Sequence, residues 1–187
     1  IEAALAARRE HPGALLAGER RALPIPGFDL GNSPAEFTRP TVAGRTIIMT
    51  TTNGTVALQA TARAARVYIG AFLNAAALCR TLTAAGRDVV ILCAGTEGRF
   101  TLEDALCAGL LAERLAGEGE ASDAAIAARA IYNDCRRDLW QRVSRCAHAR
   151  RLINAGFGDD IAFCLQHDTY AIVPEFAKGI IEIPPAK

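Results

Sequence analysis

The chain has 187 residues and a formal net charge of +1, with 51% hydrophobic and only 6% aromatic residues. This length suits one domain with a buried core, and the composition excludes disordered and fibrous proteins and predicts helices packed on a sheet. The near-neutral charge predicts no long-range attraction to nucleic acid or to an anionic membrane. No apolar run approaches the roughly 20 residues that cross a bilayer, and no signal-peptide pattern opens the chain, so we expect a cytosolic protein.

The first half of the chain opens on a helix-like segment, 1–10, that has no initiator Met. A helix needs something to pack on, so this opening suggests a fragment of a longer protein. Residues 18–40 follow as a long segment rich in Gly, Pro, Asp and Asn. Because Phe28 and Leu30 give it apolar anchors, we expect an ordered, functional loop.

Strands and helices alternate in the middle of the chain. Strands are predicted near 46–51, 66–71 and 88–94, and helices over 55–65, over 74–84 with Asn74 as N-cap, and over 101–116. Farther on, 122–151 has a helical pattern, and the apolar runs 170–173 and 179–183 predict edge strands. This rhythm predicts a largely parallel sheet covered by helices on both faces, with ligands bound beyond the carboxyl ends of the strands.

The most informative stretch is Thr-Thr-Thr-Asn-Gly-Thr at 50–55, between an apolar run and a helical segment. Free N–H groups at a helix start attract phosphate, sulfonate or carboxylate, and threonine hydroxyls add donors. Gly54 would let a ligand approach the backbone. In the alternative interpretation, Thr52 or Asn53 only caps the next helix.

A second chemical candidate is the C-x5-R spacing of Cys93 and Arg99, which is typical of phosphatases that attack with a thiolate. Glu97 argues against it, because a carboxylate would then lie inside the phosphate cradle. The alternative is a buried cysteine at a strand end. Six scattered cysteines without a metal-binding spacing predict reduced thiols in a chain without a secretion signal.

A third candidate is a set of carboxylates: Glu19, Asp29, Glu97, Glu103 and Asp104. Acids in the first turn of a helix are favoured by its dipole, which accounts for either of the last two alone. Three of the five follow one predicted strand end, and the other two lie in the loop expected to fold over it. Acids that converge beside an anion cradle favour a divalent cation such as Mg²⁺.

The segment 136–151 is basic, with six arginines around Trp140. A solvated or subunit-contact face is the better interpretation in a near-neutral chain, and nucleic-acid binding is a minor alternative.

Several uncommon motifs in a fixed order resemble the 2-phosphosulfolactate phosphatase family. They are Gly-Glu-Arg at 18–20, Gly-Phe-Asp-Leu-Gly-Asn-Ser-Pro at 27–34, the threonine stretch at 50–55, Leu-Asn at 73–74, Cys-Ala-Gly at 93–95, Leu-Glu-Asp at 102–104, Gly-Asp-Asp-Ile-Ala-Phe-Cys at 158–164 and Val-Pro at 173–174. The resemblance implies a three-layer α/β/α fold with a mixed sheet, as a single domain over 1–187. It also implies Mg²⁺-dependent hydrolysis of 2-phosphosulfolactate to sulfolactate and phosphate, a step of coenzyme M synthesis. Family members usually carry an upstream strand that this sequence does not include, and with it an acidic and a basic site residue.

The resemblance and the residue chemistry together give a working set of site residues. The substrate-binding set is Arg20, Asn32, Ser33, Thr51, Thr52, Asn53, Gly54, Thr55 and Asn74; the Mg²⁺ ligands are Asp29, Glu103 and Asp104; Glu19 or Glu97 would position water, and Cys93 would be the nucleophile in the thiolate alternative. A rival from another class is a non-catalytic module that binds small anions. An Ala-rich surface and amphipathic C-terminal helices are compatible with a homodimer.

Overall fold

The computed structural model describes residues 1–117 and 119–184. Its helices are α1 (Glu2–Glu10), α2 (Arg39–Val42), α3 (Gly54–Ala60), α4 (Ala75–Ala85), α5 (Leu102–Arg114), α6 (Asp123–Cys135), α7 (Leu139–Val143), α8 (Ala147–Asn154) and α9 (Gly158–Cys164). Its strands are β1 (Leu15–Arg20), β2 (Leu23–Pro24), β3 (Ile47–Thr50), β4 (Glu175–Ala177) and β5 (Ile180–Glu182), and short 3-10 turns cover Pro34–Glu36 and Phe72–Asn74.

Two small sheets form in the described residues. The first has the order β2-β1-β3, with β1 antiparallel to β2 and parallel to β3, so that Gly18 lies opposite Thr50. The second is the antiparallel hairpin of β4 and β5. The fold is therefore α/β with a small mixed sheet, whereas the three-layer α/β/α arrangement stays a prediction.

The main hydrophobic core lies among the helices from α4 to α9. Leu106 is fully buried on α5 and packs in one cluster with residues of α4, α6, α7, α8 and α9. Gly109 lets α6 approach α5 closely, because a Cβ at this position would lie 2.2 Å from the Ala128 carbonyl oxygen. Acids begin α5 and Arg114 ends it, as the helix dipole favours.

The predicted helices are largely confirmed. The helices expected over 74–84 and 101–116 are α4 and α5, the one expected over 55–65 is the shorter α3, and 122–151 divides into α6, α7 and α8. Asn74 precedes α4 but makes no capping bond to it.

The strand predictions were less accurate. The strand near 46–51 is β3 and the run 179–183 contains β5, but 170–173 is not a strand, and β1 and β4 were not predicted. Segment 66–71 contributes only an isolated bridge between Tyr68 and Glu175. Segment 88–94 forms no ladder within the described residues, and Val90 is 90% exposed there. An apolar pattern shows that a segment can become a strand, but it cannot supply the neighbour whose N–H and C=O groups complete a ladder.

The long segment 18–40 is ordered, as its apolar residues predicted. It includes the end of β1, all of β2 and one 3-10 turn, with Leu30 buried and Phe28 half-buried. In the described part of the chain, no helix is long and apolar enough to cross a membrane.

Candidate active site

The carboxyl ends of β1 and β3 bring Glu19 and Arg20 against the threonine stretch. The Glu19 carboxylate accepts hydrogen bonds from the Thr52 backbone N–H at 2.6 Å and from the Thr52 hydroxyl at 3.1 Å. Arg20 Nη2 donates to Thr50 Oγ1 at 2.9 Å. Because β1 and β3 are parallel, their carboxyl ends meet at one edge of the sheet, as expected for a ligand site in an α/β protein.

A strained turn fixes Glu19 further. Arg21 and Ala22 have φ values of 55° and 67°, in the left-handed region that L-residues seldom occupy. This turn joins β1 to β2 and aims the Ala22 N–H at Glu19 Oε2, 3.0 Å away. Three donors therefore surround one half-buried carboxylate, which is held rigidly beside the threonine stretch.

The start of α3 both caps a helix and presents free donors. Thr51 Oγ1 accepts from the Thr55 N–H at 3.1 Å, and the Thr55 hydroxyl donates to the Thr51 carbonyl oxygen at 2.9 Å. Within the described residues, the backbone N–H groups of Asn53 and Gly54 have no acceptor. Thr51 thus caps the helix, while the neighbouring N–H groups stay available for an oxyanion.

A second loop meets the threonine stretch through Asn53. Its Oδ1 accepts from the Glu97 N–H at 2.9 Å, and Gly95 N–H donates to Asp104 Oδ2 at 2.6 Å. The loop turns tightly, because Glu97 has φ 53° and a Cβ on Gly95 would lie 2.5 Å from the Arg99 carbonyl oxygen. The hydrogen bonds thereby link Thr52 and Asn53 to the start of α5.

Cys93 and Arg99 line a pocket of about 260 Å³ together with Gly95 and Thr101. Cys93 is exposed and lies outside any described strand, so the alternative of a buried cysteine at a strand end is wrong. Partial desolvation of its thiol and the Asp104 carboxylate raise the pKa of that thiol. A nucleophilic cysteine needs the opposite shift, since the thiolate is the reactive form. The environment of Cys93 therefore favours a protonated thiol, and all six cysteines are unpaired.

The three predicted Mg²⁺ ligands have separate neighbours. Asp29 lies toward the amino end of β1, where its Oδ2 accepts from the Leu16 N–H at 2.8 Å and from Arg8 at 3.0 Å. These donors lower the pKa of Asp29, the backbone hydrogen bond from Leu16 most of all. No group of three metal-ligating side chains occurs in the residues that the structure describes.

The carboxylates of Glu103 and Asp104 also have different surroundings, although the two residues are neighbours in sequence. Asp104 raises the pKa of Cys93, whereas Glu103 raises that of Cys146, so the two carboxylates lie near different thiols. Oε2 of Glu103 is buried with no hydrogen-bond partner in the described residues. Helical neighbours point about 100° apart, so adjacent acids on a helix do not face one ligand by default.

Three predicted substrate-binding residues lie outside the linked segments. Asn74 is buried and already uses its amide, which accepts from Ala71 N–H and donates to the carbonyl oxygens of Ile69 and Ile172. Ser33 is also buried and donates to Asp160 Oδ1 at 2.8 Å. Asn32 is exposed, and no bond joins its side chain to another described residue.

The predicted set of site residues left out two polar groups at this edge of the sheet, although Thr50 belongs to the stretch 50–55 that the sequence analysis singled out. Thr50 is the hydroxyl that Arg20 contacts, and its position at the end of an apolar run was the signal that could have included it. Thr101 lines the pocket with a buried hydroxyl that has no partner among the described residues. Thr101 is the first residue of the helix predicted over 101–116; it immediately precedes α5, and its side chain makes no capping bond.

Comparisons with known proteins agree with this arrangement of motifs. The family model of 2-phosphosulpholactate phosphatase matches residues 1–179. A Caldanaerobacter subterraneus protein named probable 2-phosphosulfolactate phosphatase is 43% identical over 169 residues, which are 89% of this chain and 70% of that protein. Proteins of the same name from Symbiobacterium thermophilum and Deinococcus radiodurans are each 42% identical, covering 95% of this chain and 78% and 75% of their own lengths. The chain therefore belongs to the 2-phosphosulpholactate phosphatase family.

Proposed function

We propose that this chain is a phosphomonoesterase that hydrolyses 2-phosphosulfolactate, or a similar small phosphorylated hydroxy acid, to sulfolactate and phosphate. Its family membership and the names of its relatives support this reaction. We further propose a cytoplasmic location, which fits six unpaired cysteines. A homodimer stays a prediction of the sequence.

One observation carries the proposal: hydrogen bonds join polar segments around residues 19, 52, 96 and 104, and the first three are well separated in sequence. Glu19 is bonded to Thr52, Asn53 to Glu97, and Gly95 to Asp104. Helix capping needs only local hydrogen bonds within one segment, so it does not account for bonds between these segments. A site for a small dianion needs several hydrogen-bond donors on different segments, because donors on one segment reach the anion from one side only.

The donors at this site suit a phosphoryl group. The Asn53 and Gly54 N–H groups would bind one phosphate oxygen, and Arg20 would neutralise charge that develops during transfer. Arg20 is preorganised, since its Nη1 donates to the Glu19 carbonyl oxygen at 2.8 Å and its Nη2 to Thr50. The reaction then needs a base that positions water.

Glu97 is the better candidate for that base. Its carboxylate is exposed and has no partner among the described residues, whereas the Glu19 oxygens already accept three hydrogen bonds. A carboxylate that is free to accept a proton must have an unoccupied lone pair facing water. We therefore propose that Glu97 positions the attacking water and that Glu19 holds the threonine stretch 50–55 in place.

We also propose that the activity depends on Mg²⁺, and this proposal rests on the resemblance to the family alone. Asp29, Glu103 and Asp104 do not fit a shared site in this conformation, so no step is assigned to a metal. Phosphate release measured with EDTA and after Mg²⁺ is restored tests the dependence directly. Recovery with Mg²⁺ would support a metal, and equal rates in EDTA would contradict it.

The activity is tested by measuring phosphate release from 2-phosphosulfolactate with the wild-type chain and Arg20→Ala. Removing a preorganised donor should lower kcat/KM by about 100-fold. Arg63→Ala is the matched control, because Arg63 is exposed and no described residue bonds to it. The proposal fails if the wild-type chain releases no phosphate from any phosphorylated hydroxy acid, with or without Mg²⁺.

A further inference from the structure

The pocket that Cys93, Arg99 and Thr101 line, called here the Arg99 pocket, has one charged side chain among its described lining residues, the Arg99 guanidinium. Arg99 is exposed, and no described residue forms an ion pair or a side-chain hydrogen bond with it. The other lining residues are neutral, and one of them is Phe100, which is 74% exposed. Pockets for drug-sized ligands have volumes of roughly 300–1,000 Å³. A pocket of about 260 Å³ with one free cation therefore suits a small anionic group.

A two-residue turn fixes the backbone of Arg99. The Thr96 N–H donates to the Arg99 carbonyl oxygen at 3.1 Å, and the Arg99 N–H donates to the Thr96 carbonyl oxygen at 3.0 Å. Glu97 and Gly98 form the turn, with φ values of 53° and 72°. The Glu97 N–H donates to Asn53, so the turn that carries Arg99 is attached to the segment that binds the phosphoryl group in the proposed reaction.

The buried side of the pocket is the start of α5, a helix of 13 residues. Thr101 precedes this helix without a capping bond, and its Oγ1 is buried with no partner among the described residues. The Leu102 and Glu103 N–H groups also have no acceptor in that part of the chain. An unpaired buried hydroxyl is unfavourable, and rotation about the single χ1 bond turns it toward the pocket. Free N–H groups at a helix start attract an anion.

The carboxylates near the pocket do not oppose this use of it. None of the residues Glu97, Glu103 and Asp104 lines it. Asp104 is bonded to the Gly95 N–H at 2.6 Å, and Glu103 lies near the Cys146 thiol, whose pKa it raises. A ligand in the pocket therefore meets a guanidinium and neutral donors.

We propose that the Arg99 pocket binds the sulfonate group of 2-phosphosulfolactate while the phosphoryl group lies at the Asn53 and Gly54 N–H groups. This inference rests on the proposed function. A sulfonate has three oxygens in a tetrahedral arrangement, so it accepts from Arg99 on the exposed side and from Thr101 and the start of α5 on the buried side. A planar carboxylate would be satisfied by a guanidinium alone. Arg99 and Thr101 are thereby specificity-determining residues.

The test compares phosphate release from 2-phosphosulfolactate and from 2-phospholactate, which has a hydrogen in place of the sulfonate. Arg99→Gln should lower kcat/KM for the sulfonated substrate by about 30-fold, since hydrogen bonds to charged groups are the stronger ones. It should change kcat/KM for 2-phospholactate by about twofold at most. Arg63→Gln is the matched control, because Arg63 is exposed and no described residue bonds to it. It should leave both values unchanged.

Thr101→Val tests the buried side of the pocket, because it removes the hydroxyl and keeps the shape of the side chain. It should lower kcat/KM for 2-phosphosulfolactate by about fivefold. It should melt no lower than wild type, since a hydroxyl without a partner contributes nothing to the stability of the free protein. A variant that melts lower and loses activity equally on both substrates would show a structural role instead.

Binding of the product gives a measurement that does not depend on turnover. In isothermal titration calorimetry, wild type should bind sulfolactate more tightly than lactate, and Arg99→Gln should bind the two equally. The proposal is overturned if wild type does not distinguish these two acids, or if Arg99→Gln affects both phosphorylated substrates alike. A wild-type chain that hydrolyses neither substrate, yet binds sulfolactate through Arg99, would contradict the proposed phosphatase function and support the sulfonate site.

Discussion

At the residue scale, Glu19 shows how the tertiary structure changes the role of a predicted side chain. Its carboxylate accepts from Thr52 twice and from Ala22 once. A carboxylate so engaged is a positioning residue, because it acts on substrate through the backbone that it holds. Glu97 has the free carboxylate that a base requires.

Glu19→Gln and Glu97→Gln should therefore differ in the size of their effects on kcat. Glu97→Gln should lower kcat by roughly 100-fold or more, as expected for the loss of a general base. Glu19→Gln should lower kcat only about fivefold, since one misdirected hydrogen bond is worth about 1 kcal/mol. Steady-state phosphate release measures both variants, and the reverse pattern would return the base role to Glu19.

Cys93 gives a second prediction at this scale. Cys93→Ser should retain most of the wild-type kcat, because partial desolvation and Asp104 raise the pKa of the thiol and disfavour a nucleophilic thiolate. Steady-state phosphate release measures the effect. A fall of 1,000-fold in a folded variant would establish thiolate attack instead.

At the element scale, the contact between α5 and α6 depends on Gly109. The missing side chain allows close approach, with Ala128 O at 2.2 Å and Tyr132 Cβ at 2.6 Å from the place a Cβ would occupy. Tyr132 belongs to the core cluster, so the two helices and the core share this contact. Packing of α5 in turn positions Asp104, which holds Gly95.

Gly109→Ala should lower the free energy of unfolding by about 1–3 kcal/mol, because the methyl group forces the two helices apart. Helix propensity alone would give the opposite sign, since Ala is the better helix former. Gly158→Ala is the control, as its nearest contact would be an ordinary 3.9 Å from Ile153. Chemical denaturation measures both; a stabilised Gly109→Ala variant would contradict the packing argument.

At the scale of the whole molecule, an ion pair connects α5 to the segment after α9. Arg114 donates to Asp168 through two bonds of 2.8 and 2.6 Å, and the Ala76 N–H of α4 donates to the same carboxylate at 2.7 Å. The pKa of Asp168 is held below its ordinary value, mainly by the hydrogen bonds from Arg114 and to a smaller extent by the backbone N–H of Ala76. Three elements distant in sequence therefore meet at one carboxylate.

The depressed pKa sets the sign of a pH effect. The stabilisation is present above the unfolded-state pKa of Asp168 and is lost as pH falls through the lower folded-state pKa. Asp168→Asn should therefore be less stable than wild type near pH 7, and the difference should shrink toward zero in acid. Thermal melts of both proteins from about pH 7 to about pH 2 measure it. A difference that does not change with pH would show that the charge of Asp168 contributes nothing.

The sequence by itself determined the local features: the apolar run that becomes β3, the helices α4 and α5, and the order of motifs that indicates the family. These depend on residue type and spacing, which the chain carries without reference to its partners. Only the tertiary structure decided that Asp29 is bonded to Arg8, that Asn74 is buried with its amide already hydrogen-bonded, and that 88–94 pairs with no described strand. The physical reason is that a hydrogen bond or a ladder needs a second group, and the position of that group follows from how distant segments pack.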